Sequence, residues 1–266
     1  MSRVYDPDVV RCKACHTLFR NPRPSQAQIA SSYNNGATYE DWHLRSEYFD
    51  ILWHRRAALV RKQRTQGSLL DIGVGDGGFL KAAIGLGFKG EGTELSLTGA
   101  GLAAKRGLQV HLGQLTEIDF GNRTFDIITI WHVLEHVPNP GAVMRKVHGL
   151  LAPEGLLFIA VPNEDHTIWK NRIRGRWRSS PFENLQWGSE IHLTHFQPRT
   201  LQRFLRANGF KIRSFEVDDF YSDRRTLKQL KTAVYQFLGG CLGWHCAAAM
   251  LVVCEHAHSH SIGGHS

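Results

Sequence analysis

The chain has 266 residues, of which 42% are hydrophobic and 21% are charged, and these proportions exclude a largely disordered protein. No run of about 18 apolar residues is present and the first residues lack the apolar stretch of a secretory signal, so we expect a cytoplasmic protein without a membrane span. Five cysteines are an odd number, which argues against a disulfide framework. Three of them lie among apolar residues and are predicted to be small core residues: Cys241, Cys246 and Cys254.

The net charge of +8 suggests a nucleic-acid hypothesis, but the basic residues are clustered. One cluster falls between the apolar positions of a predicted helix and is interpreted as its solvated face: Arg55, Arg56, Arg61, Lys62 and Arg64. A second cluster interleaves with Trp169 and Trp177 in a predicted loop: Lys170, Arg172, Arg174, Arg176 and Arg178. An anionic small molecule fits this second cluster as well as RNA does.

The amino-terminal segment, residues 1–39, carries Cys12 and Cys15 in a CxxC pair ahead of a proline-rich stretch and a short helix capped by Ser25. Two cysteines are half of a tetrahedral zinc ligand set, so no metal site is predicted here. His16 or His43 is left as a candidate to complete such a set.

The residues beyond this segment, 40–266, are predicted to form one α/β domain. Apolar residues recur at helical spacing from Asp41 to Gln63, and short apolar runs then alternate with helical segments. The predicted strands are 68–72, 88–94, 108–111, 125–130, 155–161, 210–217 and 247–254, and the helices include 140–151, 198–207 and 224–238. This alternation predicts βαβ units and a doubly wound parallel sheet with helices on both faces.

Two regions depart from this alternation. Residues 163–198 are polar, aromatic and basic, and are predicted to be an inserted cover over the active site. Residues 256–266 are rich in histidine, serine and glycine and are predicted to be a mobile tail.

A glycine-rich loop follows the first strand of this domain. Asp71 ends the strand and Gly73, Gly75 and Gly77 follow, where glycine tolerates positive φ and lets a ligand approach the backbone. Glu94 ends the next strand, about 20 residues on, where a carboxylate can accept both hydroxyls of an adenosine ribose. The loop by itself is weak evidence, because dinucleotide sites use similar turns.

The segment after the fourth strand helps to distinguish this glycine-rich loop from that of a dinucleotide site. It reads Trp131-His132-Val133-Leu134-Glu135-His136-Val137-Pro138-Asn139-Pro140 and leads, through a further strand, to Val161-Pro162-Asn163. The ordered set from Leu69 to Asn163 resembles the class I methyltransferases that depend on S-adenosylmethionine (SAM), in particular those with an LEHV-P-P segment. The likeness continues more loosely from His192 to Phe210.

This resemblance implies a Rossmann-like seven-stranded sheet whose final strand is antiparallel, with SAM over the carboxyl ends of the strands. Asp71 and the glycines would face the methionine moiety, and Glu94 would bind the ribose. Gln114 and Leu115 would lie against the adenine, where the Gln114 amide oxygen can accept a hydrogen bond, and His132 would lie near the sulfonium. The CxxC segment resembles the second half of a zinc-binding unit that precedes such cores in some sugar methyltransferases.

Methyl transfer to a hydroxyl needs a group that accepts its proton near neutral pH, and histidine is the first choice. His192 is the leading candidate, with His195 and then His136 behind it. An alternative stays open for each: His192 and His195 hold the cover on the sheet, and Glu135-His136 starts a helix.

We therefore expect methylation, on oxygen, of a small or carbohydrate-like molecule. Methylation of RNA or another macromolecule is the alternative from the basic-aromatic stretch, and a catalytically inactive SAM-fold partner subunit is a third reading. The acceptor and the oligomeric state do not follow from the residues.

Overall fold

The computed structural model describes residues 2–3, 8–25, 28–29, 46–168, 192–218, 234 and 247–257. Several predictions from the sequence lie outside these residues. They are the basic cluster at 170–178 with its two tryptophans, His43, Cys241, Cys246, the helix at 224–238 and the tail from 258 onward.

A seven-stranded sheet forms the centre of the molecule. Its strands are β4 (Ser68–Ile72), β5 (Lys89–Glu94), β6 (Val110–Leu112), β7 (Phe125–Trp131), β8 (Leu151–Pro162), β10 (Phe210–Val217) and β11 (Ala249–His256). The order across the sheet is β10-β11-β8-β7-β4-β5-β6. Strands β4 to β8 pair in parallel, and β11 is antiparallel to both of its neighbours. The predicted Rossmann-like sheet with an antiparallel final strand is confirmed.

Helices flank these strands in the described part of the chain, among them α1 (Ser46–Gln63), α2 (Gly78–Gly85), α3 (Leu97–Lys105), α4 (Pro140–Leu150) and α5 (Pro198–Ala207). Their starts follow from local chemistry, since Ser96 Oγ accepts from the Gly99 amide and Asn139 Oδ1 accepts from the Ala142 amide. Successive residues of β4 point to opposite faces: Leu69 packs with α1 and α2, whereas Leu70 packs with α4 and α5. The predicted helices on both faces of the sheet are therefore present.

A second, four-stranded sheet joins the amino-terminal segment to the far end of the predicted cover. It has the order β1-β2-β3-β9, with β1 (Ser2–Arg3), β2 (Val9–Arg11), β3 (Leu18–Arg20) and β9 (Thr194–His195). Leu18 pairs with His195 and Phe19 pairs with Thr194. The CxxC segment is thereby fixed beside the histidines of residues 192–195.

Three sequence-based interpretations need correction. Arg56 is not on a solvated face: only 4% of it is exposed, because it lies on the apolar side of α1. His256 is not part of a mobile tail, since it ends β11 and its ring bonds to His148 and to the Leu151 carbonyl. The third predicted strand is displaced to Val110–Leu112, after a turn at Gly107.

Cys254 is buried, as predicted for a core cysteine, and burial raises the pKa of its thiol to about 12. Cys12 and Cys15 are free thiols, half-buried and exposed respectively. Among the described residues, neither lies in a group of three ligating side chains.

Candidate functional site

The glycine-rich loop leaves β4 and turns beneath the carboxyl edge of the sheet. Gly73, Gly75 and Gly77 all have positive φ, of 74°, 56° and 80°. A Cβ on Gly73 would collide with the Val133 side chain, so this position needs glycine both for its conformation and for its packing. The backbone therefore has the positive φ values for which glycine was predicted, and ligand approach to this loop stays a prediction.

Glu94 holds this loop against the end of β5. One of its carboxylate oxygens accepts the Gly75 amide at 2.8 Å and the other accepts the Ser96 amide at 2.8 Å. Burial raises the pKa of Glu94, and the amide hydrogen bonds act against that rise. Each oxygen keeps a second lone pair, so the carboxylate can still accept a pair of ribose hydroxyls.

Asp71 lies next to this loop, at the end of β4. Thr129 on the neighbouring strand donates its hydroxyl to Asp71 Oδ1 at 2.6 Å. Burial raises the pKa of Asp71 to about 7, although Thr129 and the charge of Arg56 act in the opposite direction. Asp71 is therefore a carboxyl group held close to its titration point at neutral pH.

The predicted adenine contacts lie beyond β6. Leu115 is buried in the apolar core beside α4, and the Gln114 amide donates to Glu117 Oε1 at 3.2 Å. Contact with adenine by these two residues stays a prediction.

His132 is the first residue after β7, and its conformation is unusual. It has a φ of 54°, which is rare for a residue other than glycine and marks local strain of about 1 kcal/mol or more. Its backbone amide bonds to the Ala160 carbonyl, and its ring Nε2 lies 2.7 Å from Asp218 Oδ2. The backbone therefore directs this imidazole along the carboxyl edge of the sheet toward the end of β10.

Sequence reasoning missed Asp218, which contacts His132, and Arg56, which pairs with Asp218. Arg56 Nη2 donates to Asp218 Oδ2 at 2.6 Å, and both side chains are 4% exposed. The Arg56 guanidinium also lies over the rings of Trp53 and Trp131, 5.1 and 4.5 Å from their centroids. Arg56, Asp218 and His132 form one buried charged chain that links α1, β10 and β7.

The protonation of this chain follows from its charges. Burial opposes ionisation of Asp218, but Arg56 and then His132 outweigh it and hold the pKa of the carboxyl well below its usual range. Burial also opposes protonation of His132, yet Asp218 and Glu135 prevail and raise its pKa. The protonated form of His132 is thus favoured by the two carboxylates on either side of its ring.

His136 and His192 are brought together by Glu135. The Glu135 carbonyl accepts the amides of Leu193 and Thr194 at 2.8 and 3.0 Å, and the rings of His136 and His192 lie 4.7 Å apart. Burial and the neighbouring His136 lower the pKa of His192 to about 3. Such a neutral imidazole offers a lone pair but binds a proton weakly.

His195 has a different environment. Its Nδ1 lies 3.0 Å from Glu164 Oε2, and its Nε2 is buried with no hydrogen-bond partner among the described residues. The Glu164 carboxylate fixes the tautomer with the proton on Nδ1, which leaves a lone pair on Nε2. His195 and Glu164 therefore form an oriented dyad of the type used in general base catalysis.

Known proteins share this architecture. The family model described as a methyltransferase domain matches residues 42–214, more than half of the chain. The chain belongs to the class I SAM-dependent methyltransferases. Its cofactor is S-adenosylmethionine, and the open loop glycines and the remaining acceptor positions of Glu94 fit that molecule.

Curated relatives of this methyltransferase carry the name ubiquinone biosynthesis O-methyltransferase. That of Glaesserella parasuis is 36% identical over 106 residues, which cover 36% of this chain and 45% of that protein. That of Burkholderia orbicola is 27% identical over 150 residues, which cover 54% of this chain and 64% of that protein. The matches thus span from under half to under two thirds of these relatives' length.

Solved structures agree with the methyltransferase fold. The 1,6-didemethyltoxoflavin-N1-methyltransferase of Burkholderia thailandensis, which contains S-adenosylhomocysteine, has a TM-score of 0.59 at 16% identity and covers 94% of this chain and 100% of its own. The CcbJ methyltransferase of Streptomyces caelestis has a TM-score of 0.56 at 14% identity, with 77% and 90% covered. Among the described residues, no helix is long and apolar enough to cross a membrane.

The state of Asp71 leads to a first prediction. The folded methyltransferase binds a proton on Asp71 up to about pH 7, whereas the unfolded chain releases it near pH 4. Stability is therefore lost as the pH rises between these values, by up to about 4 kcal/mol. Asp71→Asn is expected to raise the free energy of unfolding by about 2–4 kcal/mol near pH 8 and to leave it nearly unchanged near pH 4, measured by urea denaturation without cofactor.

Asp126→Asn is the matched control, since the Ser68 amide, assisted by its hydroxyl and by Arg64, lowers the pKa of Asp126. Its carboxylate adds stability above its unfolded pKa, so this variant should lose stability near pH 8. An Asp71→Asn variant that is no more stable than the wild type near pH 8 would contradict the prediction.

Proposed function

We propose that this methyltransferase transfers the methyl group of SAM to a hydroxyl oxygen of a small or carbohydrate-like molecule. The curated relatives, which are named as O-methyltransferases, support oxygen as the acceptor atom. The observation that carries the proposal is the buried Nε2 of His195, which has no hydrogen-bond partner in the described part of the chain and which Glu164 orients as a proton acceptor. Methylation on oxygen requires such an acceptor, because the hydroxyl must lose its proton.

His195 takes the role of base in this proposal, in preference to His192 and His136. A pKa of about 3 makes His192 a weak acceptor for a hydroxyl proton. His136 belongs to the buried group around Glu135 and stays the third candidate. When bound, the cofactor supplies the methyl group on a sulfonium, so the chain's task is to align the acceptor in line with it.

Glu94 and the glycine loop carry cofactor binding in this proposal, with Asp71 at the methionine end. That His132 lies near the sulfonium stays a prediction. An anionic acceptor and a cytoplasmic location stay predictions. Methylation of RNA depends on a basic cluster outside the described residues, so it stays the alternative.

The first test is calorimetric titration of S-adenosylhomocysteine into the wild type and Glu94→Ala. We expect micromolar binding that the substitution weakens about tenfold or more, a loss of about 1.4 kcal/mol. Glu91→Gln is the control, because Glu91 is also buried in β5 but pairs with Arg123, His111 and Gln109 instead of the loop. It should bind like the wild type.

Absence of binding to the folded wild type would overturn the proposal and favour an inactive partner subunit. Binding without turnover on a panel of phenols, catechols and sugars, combined with turnover on RNA, would favour the macromolecular alternative.

A further inference from the structure

The buried carboxylate of Glu135 lies among imidazole rings at distances slightly longer than those of good hydrogen bonds. Only 2% of its side chain is exposed, and both oxygens are buried with no hydrogen-bond partner in the described part of the chain. The nearest imidazole atoms are too distant for good hydrogen bonds: Nδ1 of His132 at 3.5 Å and Nε2 of His136 at 3.8 Å. The neighbouring imidazoles offset the cost of burying this charge, and both carboxylate oxygens keep acceptor positions open to a cation.

Imidazole nitrogens surround this carboxylate. One ligand atom from each of Glu135, His136 and His192 lies within 4.8 Å of the other two, and all three residues are buried. The backbone maintains the arrangement, because the Glu135 carbonyl accepts the amides of Leu193 and Thr194 directly after His192. The cluster therefore combines adjacent residues after β7 with a residue from the far end of the cover.

We propose that Glu135, His136 and His192 form a binding site for a divalent transition-metal ion of the Zn²⁺ type. Two histidines and one carboxylate are a donor set that such ions prefer, and three protein ligands leave a coordination position open. Donor atoms around a tetrahedral ion lie about 3.4 Å apart, so the Glu135 and His136 atoms, at 3.8 Å, need only small side-chain rotations.

Neighbouring residues support the ligands. His132 is bonded through Nε2 to Asp218, and its Nδ1 lies 3.5 Å from Glu135 Oε1, so a small rotation of the carboxylate would bring the two into hydrogen-bond distance. Metal ligands are commonly held in this way by partners in the surrounding layer. The buried charged chain from Arg56 to His132 would thus end on a metal ligand.

The role of the ion rests on the proposed function. The acceptor hydroxyl would occupy the open position, where a cation lowers its pKa. Its proton would pass to Nε2 of His195, whose ring lies 6.2 Å from that of His192. The oxygen lone pair would then form the bond to the methyl carbon, while the carbon–sulfur bond breaks and its electron pair stays on sulfur.

The test measures Zn²⁺ binding on the intact chain, by calorimetry and by metal content after dialysis. The wild type should bind one more equivalent than Glu135→Gln and His192→Gln, or bind it at least 100-fold more tightly, since loss of an outer partner alone costs about 10- to 100-fold. Two controls test whether other cysteine or histidine side chains bind the ion: a Cys12→Ser, Cys15→Ser double variant, and His148→Gln, which removes a ring that pairs with His256. Both should retain the equivalent that the site variants lose.

A Co²⁺ spectrum of the wild type gives a readout that does not depend on variant folding. Visible bands without a thiolate charge-transfer band are expected for oxygen and nitrogen ligands, whereas such a band would assign the ion to the cysteines and overturn the inference. Equal Zn²⁺ binding by wild type and site variants would also overturn it. Titration of S-adenosylhomocysteine separates the two proposals, because a chain that binds this product but no metal refutes the metal site alone.

Discussion

Replacing Asp218 with Asn is expected to lower the free energy of unfolding by about 3 kcal/mol or more near neutral pH. The substitution keeps the side chain's size but leaves the guanidinium of Arg56 buried without its anion. The same oxygen of Asp218 contacts His132, so Arg56 and His132 lose one shared anionic acceptor. Urea denaturation followed by circular dichroism measures the change.

A double-mutant cycle tests whether the pair itself is responsible. Arg56→Met fills a similar volume among Trp53 and Trp131 without a charge, so adding it to Asp218→Asn should recover most of the lost stability. Glu255→Gln serves as the exposed control: it breaks the ion pair with Lys211, whose side chain is 61% exposed, and should cost less than about 1 kcal/mol. Additive losses in the cycle would show that the two side chains act independently.

The contribution of Asp218 to the free energy of unfolding depends on pH in a definite direction. The pKa of Asp218 is held below its usual range, so its carboxylate adds stability above about pH 4, and this contribution is lost as the pH falls through the folded-state pKa. The difference in stability between wild type and Asp218→Asn should therefore shrink on acidification. A constant difference from neutral to acidic pH would contradict the assigned ion pair.

Local patterns predicted the elements of the methyltransferase core well. The helix at 198–207 and the strand at 210–217 begin and end where the sequence places them, because a proline start, an apolar stripe and Gly209 define them locally. The third strand was predicted too early in the chain, because its apolar run begins at Leu108. The strand itself begins at Val110, and Leu108, which precedes it, is only partly buried.

The charged chain was not predicted because its members are far apart in sequence. Arg56 and Asp218 are 162 residues apart, and no local sequence pattern around either residue indicates the other as its partner. A signal was nevertheless present in α1, where Phe49, Trp53, Arg56 and Val60 follow one helical stripe that is otherwise apolar. A single arginine on such a stripe indicates a buried anionic partner. The sequence interpretation missed this because it grouped the arginine with the solvated basic residues.

The histidines show a similar limit. The sequence nominated His192, His195 and His136, and the structure brings all three to one region. Which of them receives an orienting carboxylate depends on tertiary contacts, because Glu164 lies 31 residues before His195. Composition and spacing alone could therefore rank the three histidines as candidate bases only by their position in the sequence.

Replacing His195 with Asn is expected to lower kcat by about 10²- to 10⁴-fold, the usual contribution of a general base. The affinity for S-adenosylhomocysteine should stay within about threefold of the wild type, because His195 lies in β9 of the four-stranded sheet and is not part of the glycine loop. The rate of product formation is measured with the acceptor that the panel of phenols, catechols and sugars identifies. Glu164→Gln should cause a smaller loss, since the amide oxygen can still accept from Nδ1 but carries no charge.

Thr194→Val is the matched control for the His195 variant. Thr194 is the other residue of β9, its hydroxyl is buried with no hydrogen-bond partner among the described residues, and valine has the same shape. This variant should keep kcat near the wild-type value. If His195→Asn retains full turnover while His192→Asn loses it, the base is His192, and the imidazole that we assign to the metal ion carries the proton instead. If both variants lose turnover and only His192→Asn loses Zn²⁺, the two histidines have the separate roles that their surroundings indicate.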